Sequence, residues 1–335
     1  MKIKRSHLRN GLILLHLAFA ILGFYLFTIN YHLSEVQLTQ KALVKQAILA
    51  KAGSTSIENL IKNVQNQLSS FVFSFAPGSE IVPINIAHTR LAFDEYIQRA
   101  QLPINGVVLY DENGTLNILG NRQHIRTGEG QNFAQTSYIR WSKDPTNKGK
   151  TYISTPYIGT TGASIGKTII LVAQPIYFGD TYKGTLAIKL LVDDFRKSFI
   201  DTLASDPAED SFIITNKGLL LAGNTALINQ NLFAYAQKQK WNQYKDFTQK
   251  LSTTIKTNKS QAVWTFQNPK DKTKVVFVGI SKIDIPNTDN DLYIVVNTSK
   301  DDALASLQPL RLYGFAWLGF GLLASFLGAI IAVLL

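Results

Sequence analysis

The sequence contains no cysteine, and Met1 is its only methionine. That excludes thiolate catalysis, Cys-ligated zinc, iron–sulfur clusters, disulfides and a lipidated N-terminal cysteine. Histidine is scarce too: His7, His16, His32, His88 and His124 form no i, i+3 or i, i+4 pair and sit in no acidic cluster, so a metal centre is not expected. There is no G-x-S-x-G elbow and no Ser/His/Asp set in a supporting context, so no catalytic residues are expected and the chain does not read as an enzyme. Asp193-Asp194 reads as a helix start, not as paired catalytic carboxylates. The stretch GTTGASIGK, residues 159–167, is one residue short of a phosphate-loop spacing and reads as a hairpin loop. No cofactor is implied.

Acidic residues are absent before Glu35, whereas Lys2, Lys4, Arg5 and Arg9 precede residue 10. The chain carries 34 Lys and Arg against 23 Asp and Glu, a net charge of +11. Beyond Arg9 the basic excess is spread without a run, which speaks against a nucleic-acid partner. With 46% hydrophobic and 17% charged residues, the chain is neither disordered nor a collagen-like repeat.

Two long uncharged runs bracket the sequence. Residues 11–29, GLILLHLAFAILGFYLFTI, would span roughly 28 Å as a helix, close to the thickness of a bilayer's hydrocarbon core. An A-x-A occurs at residues 18–20, but inside the apolar run and not beyond it, so the segment reads as an uncleaved anchor. Residues 312–335, LYGFAWLGFGLLASFLGAIIAVLL, form the second run, with Tyr313 and Trp317 suited to an interfacial belt. The positive-inside rule then puts the N-terminus in the cytoplasm and residues 31–311 outside it, in a two-pass protein of the plasma (inner) membrane. The second run reaches Leu335 without a basic flank, which leads us to expect the front part of a longer protein.

Between the runs, apolar positions from Leu33 to Phe75 recur mostly at three or four, predicting a long helix over 31–76. Gly53-Ser54-Thr55-Ser56 predicts a kink or restart, with Thr55 and Glu58 at capping-box spacing, and Pro77-Gly78 predicts the end. A short helix is expected over 86–101. Strands are expected over 104–110 and 115–119 around an Asp-Glu-Asn-Gly turn, then over 151–157, 167–177 and 182–192. A helical linker over 193–203 is followed by strands over 211–215 and 219–222 around Asn216-Lys217-Gly218. A helix over 241–255 and strands over 261–266, 274–281 and 292–297 complete the pattern, before a helical lead over 301–311.

VVLYDENGTLNILGN and FIITNKGLLLAGN share one plan: apolar strand, polar turn ending in Gly, apolar strand, then Gly-Asn. Two copies of one small module are therefore expected. The resulting fold class is α+β, a long N-terminal helix carrying two tandem modules, PAS-like by resemblance, flanked by two transmembrane helices. The segments are 1–10, 11–30, 31–76, a distal module over 77–195, a proximal module over 196–311, and 312–335.

Residues 141–159, WSKDPTNKGKTYISTPYIG, and 170–195, ILVAQPIYFGDTYKGTLAIKLLVDDF, resemble the double Cache family of extracytoplasmic sensors. They look like that family's Trp-containing segment, its GK-x-x-x-S-x-P-Y strand and its P-I … G-x-L hairpin. The resemblance implies the sensing region of a membrane receptor of histidine kinase, chemoreceptor or cyclase type. It further implies a small-molecule ligand in the distal module and a homodimer in the bilayer.

The resemblance implies Trp141 and Tyr157 as ligand contacts, with Tyr138 and Arg140 near them. It departs from the amino-acid-binding members at Ile139 and Ser142, and at Lys189, which stands where an Asp would hold an ammonium. A lysine there repels an amine and favours an anion, so an organic anion or neutral polar solute is expected, not an α-amino acid. An alternative puts Lys189 on the solvent face of an edge strand and Trp141 and Tyr157 in the core. A membrane-anchored interaction or envelope protein without a small ligand is the competing function.

Overall fold

The computed structural model describes residues 5–75, 85–100, 103–199, 211–223, 227–238, 245–267, 275–285 and 291–334. By internal contacts these fall into two units, Met1–Lys45 with Ser299–Leu335, and Gln46–Thr298.

In the first unit, helix α1 (Arg5–Phe75) begins and helix α8 (Gln308–Leu334) ends. Both are long and apolar enough to cross a membrane. Leu17, Phe19 and Ile21 on α1, and Leu312, Phe315 and Trp317 on α8, present bare apolar surface. The two helices meet where Gly314 accommodates the Phe27 ring, at a point where an added Cβ would collide with it. Lys300 pairs with Glu35 in the same unit.

The second unit holds two antiparallel sheets against one face of α1. After helix α2 (Ile86–Arg99), the first sheet contains β1 (Ile104–Asp111), β2 (Leu116–Asn121), β3 (Tyr152–Ile153), β4 (Tyr157–Ile158), β5 (Thr168–Phe178) and β6 (Thr181–Leu191). Its order is β2-β1-β6-β5-β3, with β4 also on β5. Helix α3 (Ser137–Lys143) lies between β2 and β3 in the chain, and α4 (Val192–Phe199) follows β6. The second sheet contains β7 (Phe212–Thr215), β8 (Leu220–Ala222), β9 (Gln261–Gln267), β10 (Val275–Ile283) and β11 (Leu292–Ser299), in the order β8-β7-β11-β10-β9. Helices α5 (Leu232–Lys238) and α6 (Lys245–Lys256) lie between β8 and β9 in the chain, and α7 (Lys300–Ala303) follows β11.

The internal repeat extends to single hydrogen bonds. Gly114 and Gly218 both adopt φ +85°, as the last residue of each turn requires. Asn132 and Asn231 brace the two turns in the same way. The Nδ2 of each donates to the carbonyl of the residue just before the glycine, Asn113 or Lys217, while its Oδ1 accepts from the N–H of Ala134 or Ala234.

One core joins the modules. Ala50, Ile57, Leu60, Ile61, Val64 and Leu68 of α1 bury their stripe against Val107, Val172 and Ile188 of the first sheet and Ile213, Ile283 and Ile294 of the second. Each large aliphatic buried there contributes about 1.5–3 kcal/mol. The opposite faces carry separate clusters: Tyr110, Leu119, Tyr138 and Ala187 in the first module, and Leu251, Ile255, Val278 and Tyr293 in the second.

Three expectations change. The helix does not restart at Gly53: α1 runs on through it, where Ser54 Oγ donates to the Lys51 carbonyl and meets the Ser281 hydroxyl, and Ser56 Oγ donates to the Ala52 carbonyl. Glu58 makes no capping box; it accepts the Asp284 backbone N–H. The strand expected over 151–157 is two short strands, since the chain leaves the ladder at Thr155-Pro156, after Ser154 N–H bonds the Leu171 carbonyl, and proline has no N–H to give. The expected helix end at Pro77-Gly78, the later part of the linker over 193–203 and the helix start at Trp241 lie outside the described residues.

Candidate functional site

The strand alternation of the first sheet sends Val107, Leu109, Val172 and Ile188 toward α1, and Val108, Tyr110, Leu171, Ala187 and Lys189 toward the other face. Over that second face lie α3 and the irregular run 154–161, and between them is a cavity of about 370 Å³. Tyr110 and Ile169 come from the sheet. Phe133, Thr136, Ser137 and Tyr138 come from the start of α3, and Ser154, Thr155, Tyr157, Thr160 and Thr161 come from the opposite run. The volume suits a small solute.

The lining is rich in hydroxyls and contains no carboxylate. Tyr138 Oη donates to Tyr110 Oη at 3.2 Å, and the rings stand 5.6 Å apart at 49°. Burial pushes the Tyr110 phenol well up, with the Tyr138 and Tyr157 phenols adding to the effect. Burial raises Tyr138 and Tyr157 likewise, so all three stay neutral hydrogen-bonding groups at physiological pH. Ser154 ties the irregular run to the sheet, its Oγ accepting from Leu171 N–H at 2.9 Å.

Lys189 lies on β6, between β1 and β5 in the middle of the sheet, opposite Gly106 and Leu171. Its side chain is 2% exposed, which overturns the reading of a solvent-facing lysine on an edge strand. Among the described residues the ammonium nitrogen reaches only Thr161, donating to Oγ1 and, at 3.4 Å, to the backbone carbonyl. With no carboxylate partner among the described residues, burial lowers its pKa to about 7. Lys189 therefore stands directly behind one wall of the cavity without lining it.

Of the residues that the sequence points to, Tyr138 and Tyr157 line the cavity. Trp141 lies on the same helix as Tyr138 but packs on Tyr152, ring centroids 5.4 Å apart, and Arg140 is exposed; neither lines the cavity. Sequence reasoning misses Tyr110 and Thr161. Tyr110 does carry a signal, an aromatic closing an apolar strand just before the turn, whereas Thr161 reaches Lys189 only through a loop fold that local pattern does not encode.

The 159–167 segment is the β4–β5 loop. Its Gly162, at φ +60°, donates its N–H to the Thr127 carbonyl, and Gly128 sits against the Thr161 methyl. A second loop thus holds the one carrying Thr161. That second loop is anchored in turn by Asp94, which is buried and accepts from Asn121 N–H, His124 Nδ1 and Arg126. Burial alone would raise the Asp94 carboxyl, but those donors hold it below the usual carboxylate range.

No protein-family model and no curated protein matches the sequence. Solved structures do match. The periplasmic sensory domain of the Campylobacter jejuni chemoreceptor Tlp1 aligns with TM-score 0.59 and 15% identity over 80% of this chain and 98% of that one. The fold is of the double Cache type. The ligand-binding domain of the Pseudomonas fluorescens chemoreceptor CtaA, solved with L-isoleucine, aligns with TM-score 0.54 and 14% identity over 82% of this chain and 99% of that one. An extracellular ligand binding receptor from Desulfohalobium retbaense aligns with TM-score 0.52 and 14% identity over 75% of this chain, which spans 40% of that one. Extracellular domains of histidine kinases share the double Cache fold as well.

Proposed function

We propose that the chain is the extracytoplasmic sensing region of a two-pass membrane receptor, and that its distal module binds a small organic anion or neutral polar solute. The observation that carries this reading is the hydroxyl-lined cavity, backed by Lys189 and lined by no carboxylate. In the similar CtaA structure the solute is an α-amino acid. In this chain an ammonium group would face phenols and hydroxyls without a counter-ion, and a lysine behind them, which disfavours it.

The N-terminus is cytoplasmic in this reading, residues 31–311 are outside, and the chain itself does no chemistry. A second copy of the chain is the natural partner: Leu33, Val36 and Val44 leave an apolar stripe bare on α1 within the first unit. Signalling requires only that the solute bind two arrangements of the receptor with different affinity.

A thermal-shift screen of the full chain in lipid nanodiscs, against organic anions, sugars, amines and amino acids, tests the reading. A solute at a hundred times its dissociation constant adds about 2.7 kcal/mol of stability. Selective stabilisation by anions or neutral polar solutes is expected. Stabilisation by amines alone would contradict the solute class, and no stabilisation by any class would favour a protein-interaction role.

A further inference from the structure

Two facts about Lys189 belong together. It is a buried amine with a single side-chain partner, and that partner, Thr161, is part of the cavity wall. A hydroxyl has one hydrogen to give. When Lys189 is an ammonium it can only donate to Thr161 Oγ1, and the Thr161 hydrogen is left for another acceptor. When Lys189 is a neutral amine its lone pair can take that hydrogen, and the cavity is offered an acceptor instead. Only the ammonium form of Lys189 forces the Thr161 hydroxyl to direct its hydrogen elsewhere; the neutral amine can take that hydrogen.

We propose that Thr161 and Lys189 form a proton-coupled anion subsite: the anionic group of the solute accepts the Thr161 hydroxyl hydrogen, and Lys189 takes up one proton from water as that group binds. The inference rests on the cavity being the solute site. The bound anion is the counter-ion that no described side chain provides, so charging the lysine and binding the anion favour each other.

The surroundings supply no competing charge. Of the ionisable groups on the surrounding elements, Tyr110 of β1, Tyr138 of α3 and Tyr157 of β4 are held neutral by burial, and Arg140 and Lys143 of α3 are exposed. Asp111 of β1 accepts from the turn N–H groups of Asn113 and Thr115, Lys183 of β6 pairs with Glu112, and Arg122 of the neighbouring loop donates to the Ile97 and Ala100 carbonyls. On the loop behind Thr161, Arg126 and His124 pair with Asp94, and Glu129 pairs with Arg90. Lys189 itself makes no ion pair among the described residues, and burial places its titration at about 7. Near neutral pH, small changes in the cavity therefore decide its charge.

Isothermal titration of the full chain in nanodiscs with acetate, lactate and succinate, in HEPES and in Tris at pH 8, tests the coupling. The two buffers release protons with different enthalpies, so uptake of about one proton per anion appears as a buffer-dependent heat, and affinity falls about tenfold per pH unit above 7. Thr161→Val keeps the methyl that packs on Gly128 but has no hydroxyl; its anion affinity should drop and its buffer dependence vanish. Lys189→Met should bind with no buffer dependence and no pH slope.

An anion that binds with the same heat in both buffers overturns the proposal. So does an uncharged amide that binds as tightly as its carboxylate. In either case the cavity still holds a solute and the proposed function survives. Heat from none of the anions and from no uncharged or cationic solute overturns both the subsite and the cavity as the solute site.

Discussion

The Tyr138 hydroxyl donates to the Tyr110 hydroxyl across 3.2 Å at the cavity wall, joining α3 to the end of β1. Tyr138→Phe removes the donor and leaves the Tyr110 oxygen without that partner. The expected cost is about 1 kcal/mol of stability, measured by thermal or chemical unfolding. An unchanged midpoint would mean the bond has no net value.

Asp94 organises the loop that backs Thr161. Asp94→Asn keeps the shape but takes the carboxylate from Arg126, which is partly exposed and retains the Leu119 carbonyl, and a loss of about 1.5–3 kcal/mol is expected, as for hydrogen bonds to a charged group. The pH sense follows from its lowered pKa. The carboxylate's contribution is present above the ordinary value of 3.8 and is lost as pH falls through the lower folded value. Acid unfolding of Asp94→Asn should lack that component.

Lys189 has the opposite sense. Its folded pKa of about 7 lies below the ordinary 10.5, so between these values the unfolded chain holds more protons and stability rises with pH. Below about 7 the folded protein holds a buried charge. Lys189→Met should therefore stabilise the ligand-free protein at pH 6, and the advantage should shrink from pH 7 upward. Unfolding midpoints at pH 6, 8 and 9.5 give the answer; a constant difference would refute the titration.

Topology is open to a direct test because the chain has no native cysteine. A cysteine at exposed Lys150 should react with a membrane-impermeant maleimide added to intact cells or spheroplasts, and one at Lys2 should react only after permeabilisation. The reverse pattern would invert the orientation drawn from the positive-inside rule.

Much of the fold is legible in the sequence because its signals are local. The turns at Gly114 and Gly218 require positive φ, and the strands around them alternate or run apolar, so both hairpins and their repetition can be read from residue order alone. Gly53-Ser54 misleads because the Ser54 hydroxyl is satisfied by Ser281, which is 227 residues away in sequence. Helices α3 and α5 are seven residues each, too short to show a period, and residue pattern passes over both.

The site is less legible. Tyr157 comes from the resemblance and Tyr138 from its place beside Trp141, but Lys189 in a strand pattern reads equally as a solvent-face residue. What buries it is a loop: Gly162 turns the chain so that Thr161 meets the lysine, and Asp94 fixes the neighbouring loop behind it. Three segments distant in sequence must assemble before the chemistry exists, and periodicity carries none of that.

Occupation of the distal cavity by a small solute is tested most directly by hydrogen exchange of the full chain in nanodiscs, with and without the most stabilising solute from the thermal-shift screen. Slowed exchange at residues 133–138 and 154–161, the two walls around Tyr110, is the expected result. Slowed exchange confined to the second module, with those walls unchanged, would contradict a solute site in the distal module.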